Sequence, residues 1–89
     1  MAVIPMHASL MAKQIMAVVV EEASHREATR VRSVDVEIGT VDGVRAEELR
    51  EVFAVEAAGT AVEGATLNVH LREGRGLVIR STSLVLGDD

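Results

Sequence analysis

The side chains in this sequence that could bind a metal ion include three histidines and four methionines. Thioethers suit soft ions such as copper, so the methionines near the N-terminus raise that possibility. Met11 falls on the apolar face of a predicted helix, however, where a flexible thioether fills gaps in a core, and we favour that interpretation. His25 and His70 are predicted to be surface residues. His7 differs, because it follows Met6 directly and precedes the helix, where the hydrophobic pattern gives it no place in the core.

The arrangements that common enzymes need are missing. The chain has no cysteine, and therefore no disulfide, thiolate zinc site or cysteine nucleophile. Its histidines lie in separate predicted elements, and no Gly-x-Ser-x-Gly turn exposes a serine. The segment Gly74-Arg75-Gly76 joins two predicted strands, so no helix N-terminus follows it to bind a phosphate. The sequence therefore predicts a binding protein, not an enzyme, in the reducing cytoplasm.

Charge and hydropathy argue against two classes of partner. The net charge is −5, and the one basic cluster, Arg26 to Arg32, is interrupted by Glu27. Nucleic-acid binders need clustered cations to neutralise phosphates, so no nucleic-acid partner is predicted. The longest apolar run, Ile15 to Val20, is far too short to span a bilayer, and no membrane partner is predicted either.

Hydrophobic periodicity divides the chain into two helices and three strands. Apolar residues spaced by three and four predict helices, and strict alternation of apolar and polar residues predicts strands. Val18 is predicted to lie on the apolar stripe of the first helix. The predicted order is a helix over residues 8–27, a strand over 30–38, a turn over 39–43, a helix over 45–58, a strand over 66–72 and a strand over 77–86. Residues 6–86 are predicted to form a single domain, with loose ends at 1–5 and 87–89.

These elements predict a two-layer α/β fold of order α-β-α-β-β. The strands carry one apolar face each, with Val34, Val36 and Ile38 on the first and Leu67, Val69 and Leu71 on the second. One apolar face per strand implies a three-stranded sheet with both helices on the same side. The short link 73–76 predicts that the last two strands form an antiparallel hairpin. The first strand would then be an edge, where pairing with a second copy predicts a possible homodimer.

The sequence resembles the HypA/HybF family of nickel chaperones from Met6 to about Leu86. The residues that carry the resemblance are Met6-His7, Val34-x-Val36-Glu37-Ile38-Gly39, Gly43-Val44, Leu49, Phe53, Gly59-Thr60, Glu63-Gly64-Ala65-x-Leu67 and Gly74-Arg75-x-Leu77-x-Ile79-x-Ser81. In that family a zinc domain with cysteine pairs is inserted between the last two strands. Here that insertion is absent, so the chain resembles the nickel-binding domain alone and no zinc is expected.

The resemblance places the nickel site at Met6 and His7. A terminal amine, the next backbone nitrogen and an imidazole form a planar nitrogen set that suits Ni(II). Three departures weaken it: Ala8 replaces a glutamate, Arg45 replaces an acidic residue, and five residues precede Met6. An α-amine deprotonates far more readily than a peptide nitrogen, so a chain that starts at Met1 has a damaged site. Asp42 or Glu47 would compensate only if the turn brought them close.

The sequence is compatible with two functions. The resemblance implies an accessory protein for maturation of a nickel enzyme such as nickel–iron hydrogenase, with a maturation GTPase and the hydrogenase large subunit as partners. The alternative is a metal-free interaction or dimerisation adaptor that keeps the same fold. Retention of Met6 and His7 favours the first function, and loss of the two carboxylates and the zinc domain favours the second.

Overall fold

The computed structural model describes residues 7–87, and every predicted element is present within two residues of its expected ends. Met6, residues 1–5 and residues 88–89 lie outside the described part. The elements are α1 (Ala8–His25), β1 (Ala28–Gly39), a 3-10 turn (Thr40–Asp42), α2 (Ala46–Ala57), β2 (Thr66–Arg72) and β3 (Leu77–Leu86).

The first helix is held in place by one face of small and apolar side chains. The buried residues recur at steps of one, three and four and are Ala8, Met11, Ala12, Ile15, Val19 and Ala23. Met11 is fully buried, which confirms its role in the core. Val18 was predicted to share this face but is exposed, because it lies on the flank of the helix and not on the stripe around Ile15 and Val19. Glu27 then adopts a positive φ of 55°, and this tight turn leads directly into β1.

The central strand of the sheet is β1. The strand order is β2-β1-β3, with β1 parallel to β2 and antiparallel to β3. In this register Val34 lies beside Leu67, and Val36 lies between Val69 and Ile79. The central position buries Val34, Val36 and Ile38 completely.

The predicted hairpin between β2 and β3 is therefore wrong. Instead, the link between them crosses the end of β1. The Gly39 N–H donates to the Gly76 carbonyl at 2.8 Å, and the Val41 N–H donates to the Gly74 carbonyl at 3.0 Å. The alternation of a strand shows which face is buried but not which strand lies beside it, and the most completely buried strand gains most from a central place.

With β1 inside the sheet, the predicted dimer through a β1 edge is also wrong. The outer strands are β2 and β3. The Arg50 Nε donates to the Leu67 carbonyl at 3.1 Å and so covers the start of β2. A bulge at Arg80 and its charge interrupt β3. Bulges and charges are common means of blocking strand pairing at a sheet edge.

Both helices pack on one face of the sheet, as predicted. Their buried residues, including Leu49 and Phe53 of α2, form one core with the inward residues of β1. The opposite face carries Asp35 and Glu37. Leu71 was expected to point inward but is 57% exposed, while its neighbour Ile38 is fully buried. The helices cover the central strand at this level but do not reach its outer neighbour. Among residues 7–87, neither helix has the length and apolar content needed to cross a membrane.

The close approach of the link at Gly39 predicts that Gly39→Ala, which adds one methyl group, destabilises the fold. A Cβ at position 39 would lie 2.5 Å from the Arg75 Cα and closer still to the Gly74 carbonyl oxygen. Because both are backbone atoms, Gly39→Ala must displace the link, and we expect a loss of about 3 kcal/mol in the free energy of unfolding. Urea denaturation measures it.

Gly43→Ala is the matched control. Gly43 has a φ of 73° and open space around its Cα, so only backbone strain opposes the substitution. We expect it to cost about 1 kcal/mol. Equal losses in the two variants would show that the link does not press on β1.

Candidate functional site

His7 is the N-cap residue of α1, but its imidazole does not cap the helix. His7 has an extended backbone, with φ −82° and ψ 160°, and its carbonyl accepts the Met11 N–H at 3.1 Å. Its side chain is exposed and makes no cap hydrogen bond to the helix. Its sequence neighbour Met6 lies outside the described residues. The imidazole is therefore accessible to a ligand from solvent.

The topology brings His7 and Arg45 to the same end of the molecule. Only Arg26 and Glu27 separate α1 from β1, so the helix runs back along the strand and its N-terminus lies toward Gly39. The helix α2 also starts at that end, since it follows β1 after the segment 40–45. Two helix N-termini, the 3-10 turn and the link over Gly39 therefore share one end of the sheet.

Arg45 brings positive charge to this end. It is the N-cap of α2, where its carbonyl accepts the Leu49 N–H at 3.0 Å and its side chain makes no cap hydrogen bond. Glu47 and Glu48 follow in the first turn, where their negative charges interact favourably with the positive end of the helix dipole. An arginine near a cation site opposes the binding of that cation.

Neither carboxylate considered as a substitute ligand completes a metal site in the described chain. Asp42 Oδ2 accepts the Gly76 N–H at 3.2 Å and so helps to fix the link over β1. Within residues 7–87, no three side chains of histidine, aspartate or glutamate come close enough together to hold a metal ion. Ala8, where the resemblance calls for glutamate, is buried in the core.

A polar cluster on the open face of the sheet was not predicted as a unit. Asp35 accepts hydrogen bonds from Asn68 Nδ2 at 2.7 Å and from Ser81 Oγ at 2.8 Å. Its signal in the sequence was the outward alternation of Asp35 and Glu37. The partners could not be named without knowing that β1 lies between β2 and β3.

Glu37 continues this cluster along β1. Its Oε1 lies 3.5 Å from the Arg72 Nε and its Oε2 lies 3.5 Å from the Arg80 Nε. The bulge at Arg80 lets both that residue and Ser81 reach the carboxylates of the central strand. The carboxylates of Asp35 and Glu37 thus link β1 to both outer strands.

His70 and His25 are exposed, as predicted. His70 lies opposite Glu37 in the sheet register, and His25 lies in the last turn of α1. Neither belongs to a group of three potential metal ligands in the described residues.

The hydrogen bonds to Asp35 predict a dependence on pH. Those from Ser81 and Asn68, with a smaller effect of His70, lower the pKa of Asp35 below its ordinary value although desolvation opposes this. A lowered pKa stabilises the fold above the ordinary aspartate pKa, and this contribution is lost as the pH falls through the folded pKa. We expect Ser81→Ala to raise the pKa of Asp35 toward its ordinary value and to weaken the loss of stability in acid.

Carboxyl NMR titration measures that pKa. Ser83→Ala is the control, because Ser83 is exposed on the same strand but does not hydrogen-bond to Asp35. An unchanged pKa in Ser81→Ala, or an equal shift in both variants, would contradict the assignment of the cause.

Comparison with known proteins identifies the family. The family model described as "Hydrogenase/urease nickel incorporation, metallochaperone, hypA" matches residues 6–78. The chain therefore belongs to the HypA family, a family of metallochaperones, which confirms the resemblance seen in the sequence.

Two curated relatives show how far the similarity extends. Hydrogenase maturation factor HypA 1 of Bradyrhizobium diazoefficiens is 41% identical over 64 residues, which are 72% of this chain and 57% of that protein. Hydrogenase maturation factor HypA of Chlorobaculum tepidum is 34% identical over 71 residues, which are 80% of this chain and 63% of that protein. The matched part thus spans about three-fifths of each relative.

A solved structure shows the same fold. The solution structure of the nickel metallochaperone HypA from Helicobacter pylori superposes with a TM-score of 0.70 at 13% identity, and covers 92% of this chain and 100% of that one. This match confirms the architecture of two helices on a three-stranded sheet.

Proposed function

We propose that this chain is a HypA-like accessory protein that handles nickel during maturation of a nickel enzyme such as nickel–iron hydrogenase. The observation that carries the proposal is the family match, which begins at Met6 and runs through both helices and into β3. The exposed His7 imidazole at the start of α1 supports it, because the side chain is not used to cap the helix.

Nickel is the cargo in this proposal, and Met6 and His7 hold it. The ligands are the Met6 nitrogen, the His7 backbone nitrogen and the His7 imidazole, which suit a square-planar ion. Binding is weak when Met6 nitrogen is part of a peptide bond, since that nitrogen resists deprotonation. Pro5 cannot extend the ligand set upstream because it has no N–H.

The proposed partners are a maturation GTPase and the large subunit of the hydrogenase. Residues 6–86 act as one domain in this proposal and supply the surface for both. The protein works in the cytoplasm. No zinc is assigned, because β2 and β3 are joined by four residues and the chain contains no cysteine.

A second candidate is a metal-free adaptor with the same fold. It is favoured by the buried position of Ala8, which packs into the core where a ligand would be needed, and by the positive charge of Arg45 at the same end. The lack of a three-ligand group among residues 7–87 also favours it. The adaptor would bind the same maturation partners without carrying nickel.

Nickel titration of two forms of the chain tests these functions. One form begins at Met1 and the other has an authentic Met6 terminus, and each is also made as His7→Ala. We expect the Met6 form to bind more tightly by calorimetry and to show a yellow square-planar absorption band, because its free amine joins the ligand set. His7→Ala should abolish the band.

His70→Ala is the matched control, since His70 is an exposed histidine on β2. It should leave binding by the Met6 form unchanged. Equal affinity of the two forms, or binding that does not depend on His7, would contradict the nickel site and favour the metal-free adaptor.

A further inference from the structure

Two apolar side chains are exposed at the Gly39 end of the sheet, where the link 73–76 crosses β1. Leu71 of β2 is 57% exposed, and Val41 of the 3-10 turn is 56% exposed. Leu71 pairs with Ile38 in the sheet register, and Val41 follows Ile38 by three residues. With about 5 Å between paired strands and at most about 3.5 Å per residue, the Cα atoms of Leu71 and Val41 lie within about 15 Å. We call these two side chains the Val41–Leu71 patch.

The first helix stops short of this end of the sheet. The helix α1 has 18 residues and the strand β1 has 12. At a rise of about 1.5 Å per helical residue and about 3.3 Å per strand residue, α1 is about 27 Å long and β1 about 40 Å. Because α1 ends just before β1 begins, its N-terminus lies about 13 Å short of the Gly39 end. Leu71 shares the helical face of β2 with the buried Leu67, so it is exposed on the side where α1 is too short.

The segment that leads into α1 has the length and composition to cover this gap. Residues 2–6 directly precede His7, whose backbone is extended. Four residues in an extended conformation span about 13 Å, which equals the distance by which α1 falls short. The side chains of this segment are all apolar and uncharged, and belong to Ala2, Val3, Ile4, Pro5 and Met6. The connection to α1 therefore puts Val3 and Ile4 within reach of the Val41–Leu71 patch.

Pro5 lowers the entropy cost of ordering this segment. The proline ring fixes its own φ, and a residue that precedes proline is confined largely to extended conformations, which here restricts Ile4. Loss of backbone freedom opposes docking, but two of residues 2–6 have little freedom to lose. Burial of apolar area on Val3 and Ile4, and on the patch itself, favours docking.

We propose that residues 2–6 dock on the Val41–Leu71 patch, with the side chains of Val3 and Ile4 covering those of Val41 and Leu71. This contact replaces the loose N-terminal end expected from the sequence. It rests on apolar packing and not on nickel, so either proposal can fail without the other. Removal of residues 1–5 then uncovers the patch and frees the Met6 amine in a single step.

Methyl NMR spectroscopy of the full chain tests the contact directly. We expect nuclear Overhauser effects between the methyl groups of Ile4 and those of Leu71 and Val41. A mixture of isotope-labelled and unlabelled chains separates contacts within one chain from contacts between two copies. The proposal is overturned if Ile4 shows no such effects, if it contacts only other side chains, or if the contacts join two copies.

Urea denaturation measures the same contact through stability. In the form that begins at Met1, Leu71→Ala should lower the folding equilibrium constant by roughly fivefold, because the packing against Ile4 is lost. In the form that begins at Met6, the same substitution should change this constant by less than about twofold, as is usual for an exposed residue. Ile4→Ala in the Met1 form should reproduce the loss, and adding Leu71→Ala to it should have little further effect, because the two side chains contact each other.

Val55→Ala is the matched control. Val55 is 74% exposed and lies in the last turn of α2, at the opposite end of that helix from the Val41–Leu71 patch. Its substitution should have the same small effect in both forms. An equal effect of Leu71→Ala in the two forms would show that Leu71 makes no contact with residues 2–6, and would overturn the proposal.

Discussion

The crossing of the β2–β3 link over Gly39 is the constraint on which the rest of the structure depends. The link passes so close to the β1 backbone that no side chain fits at position 39, and its carbonyls at Gly74 and Gly76 accept the N–H groups of Val41 and Gly39. This contact fixes β1 between two strands of opposite direction. It also closes one end of the sheet without a hairpin.

The closed end of the sheet is the end that carries the proposed function. His7, Arg45 and Asp42 lie toward it, and Asp42 is bound to the link itself. The resemblance places a zinc domain of the HypA family between β2 and β3, where this chain has only residues 73–76. A short link therefore maintains the sheet, while Ala8 and Arg45 stand at this end where the resemblance calls for carboxylates.

The two sides of α1 are used differently. The inner side contributes Met11, Ile15 and Val19 to the core. The outer side carries Leu10, Val18 and Val20, which are 47%, 51% and 41% exposed. On the open face of the sheet, the carboxylates of Asp35 and Glu37 contact polar side chains of the outer strands.

The sequence by itself determined the elements, the family and the side of each strand that is buried. These follow from local periodicity and from motifs whose spacing is written in the chain, as with Val34, Val36 and Ile38. Exposed His25 and His70 and buried Met11 could be predicted for the same reason. The identity of His7 as a candidate ligand came from its sequence context alone.

Only the tertiary structure decided which strands are neighbours, and with it the partners of Asp35 and Glu37. Strand order depends on contacts between residues far apart in the chain, such as Gly39 with Gly74, and alternation contains no information about them. The exposure of Leu71 was decided in the same way, by how far the helices reach across the sheet. Local patterns specify which side of an element is apolar, but how much of that side is buried depends on the other elements that pack against it.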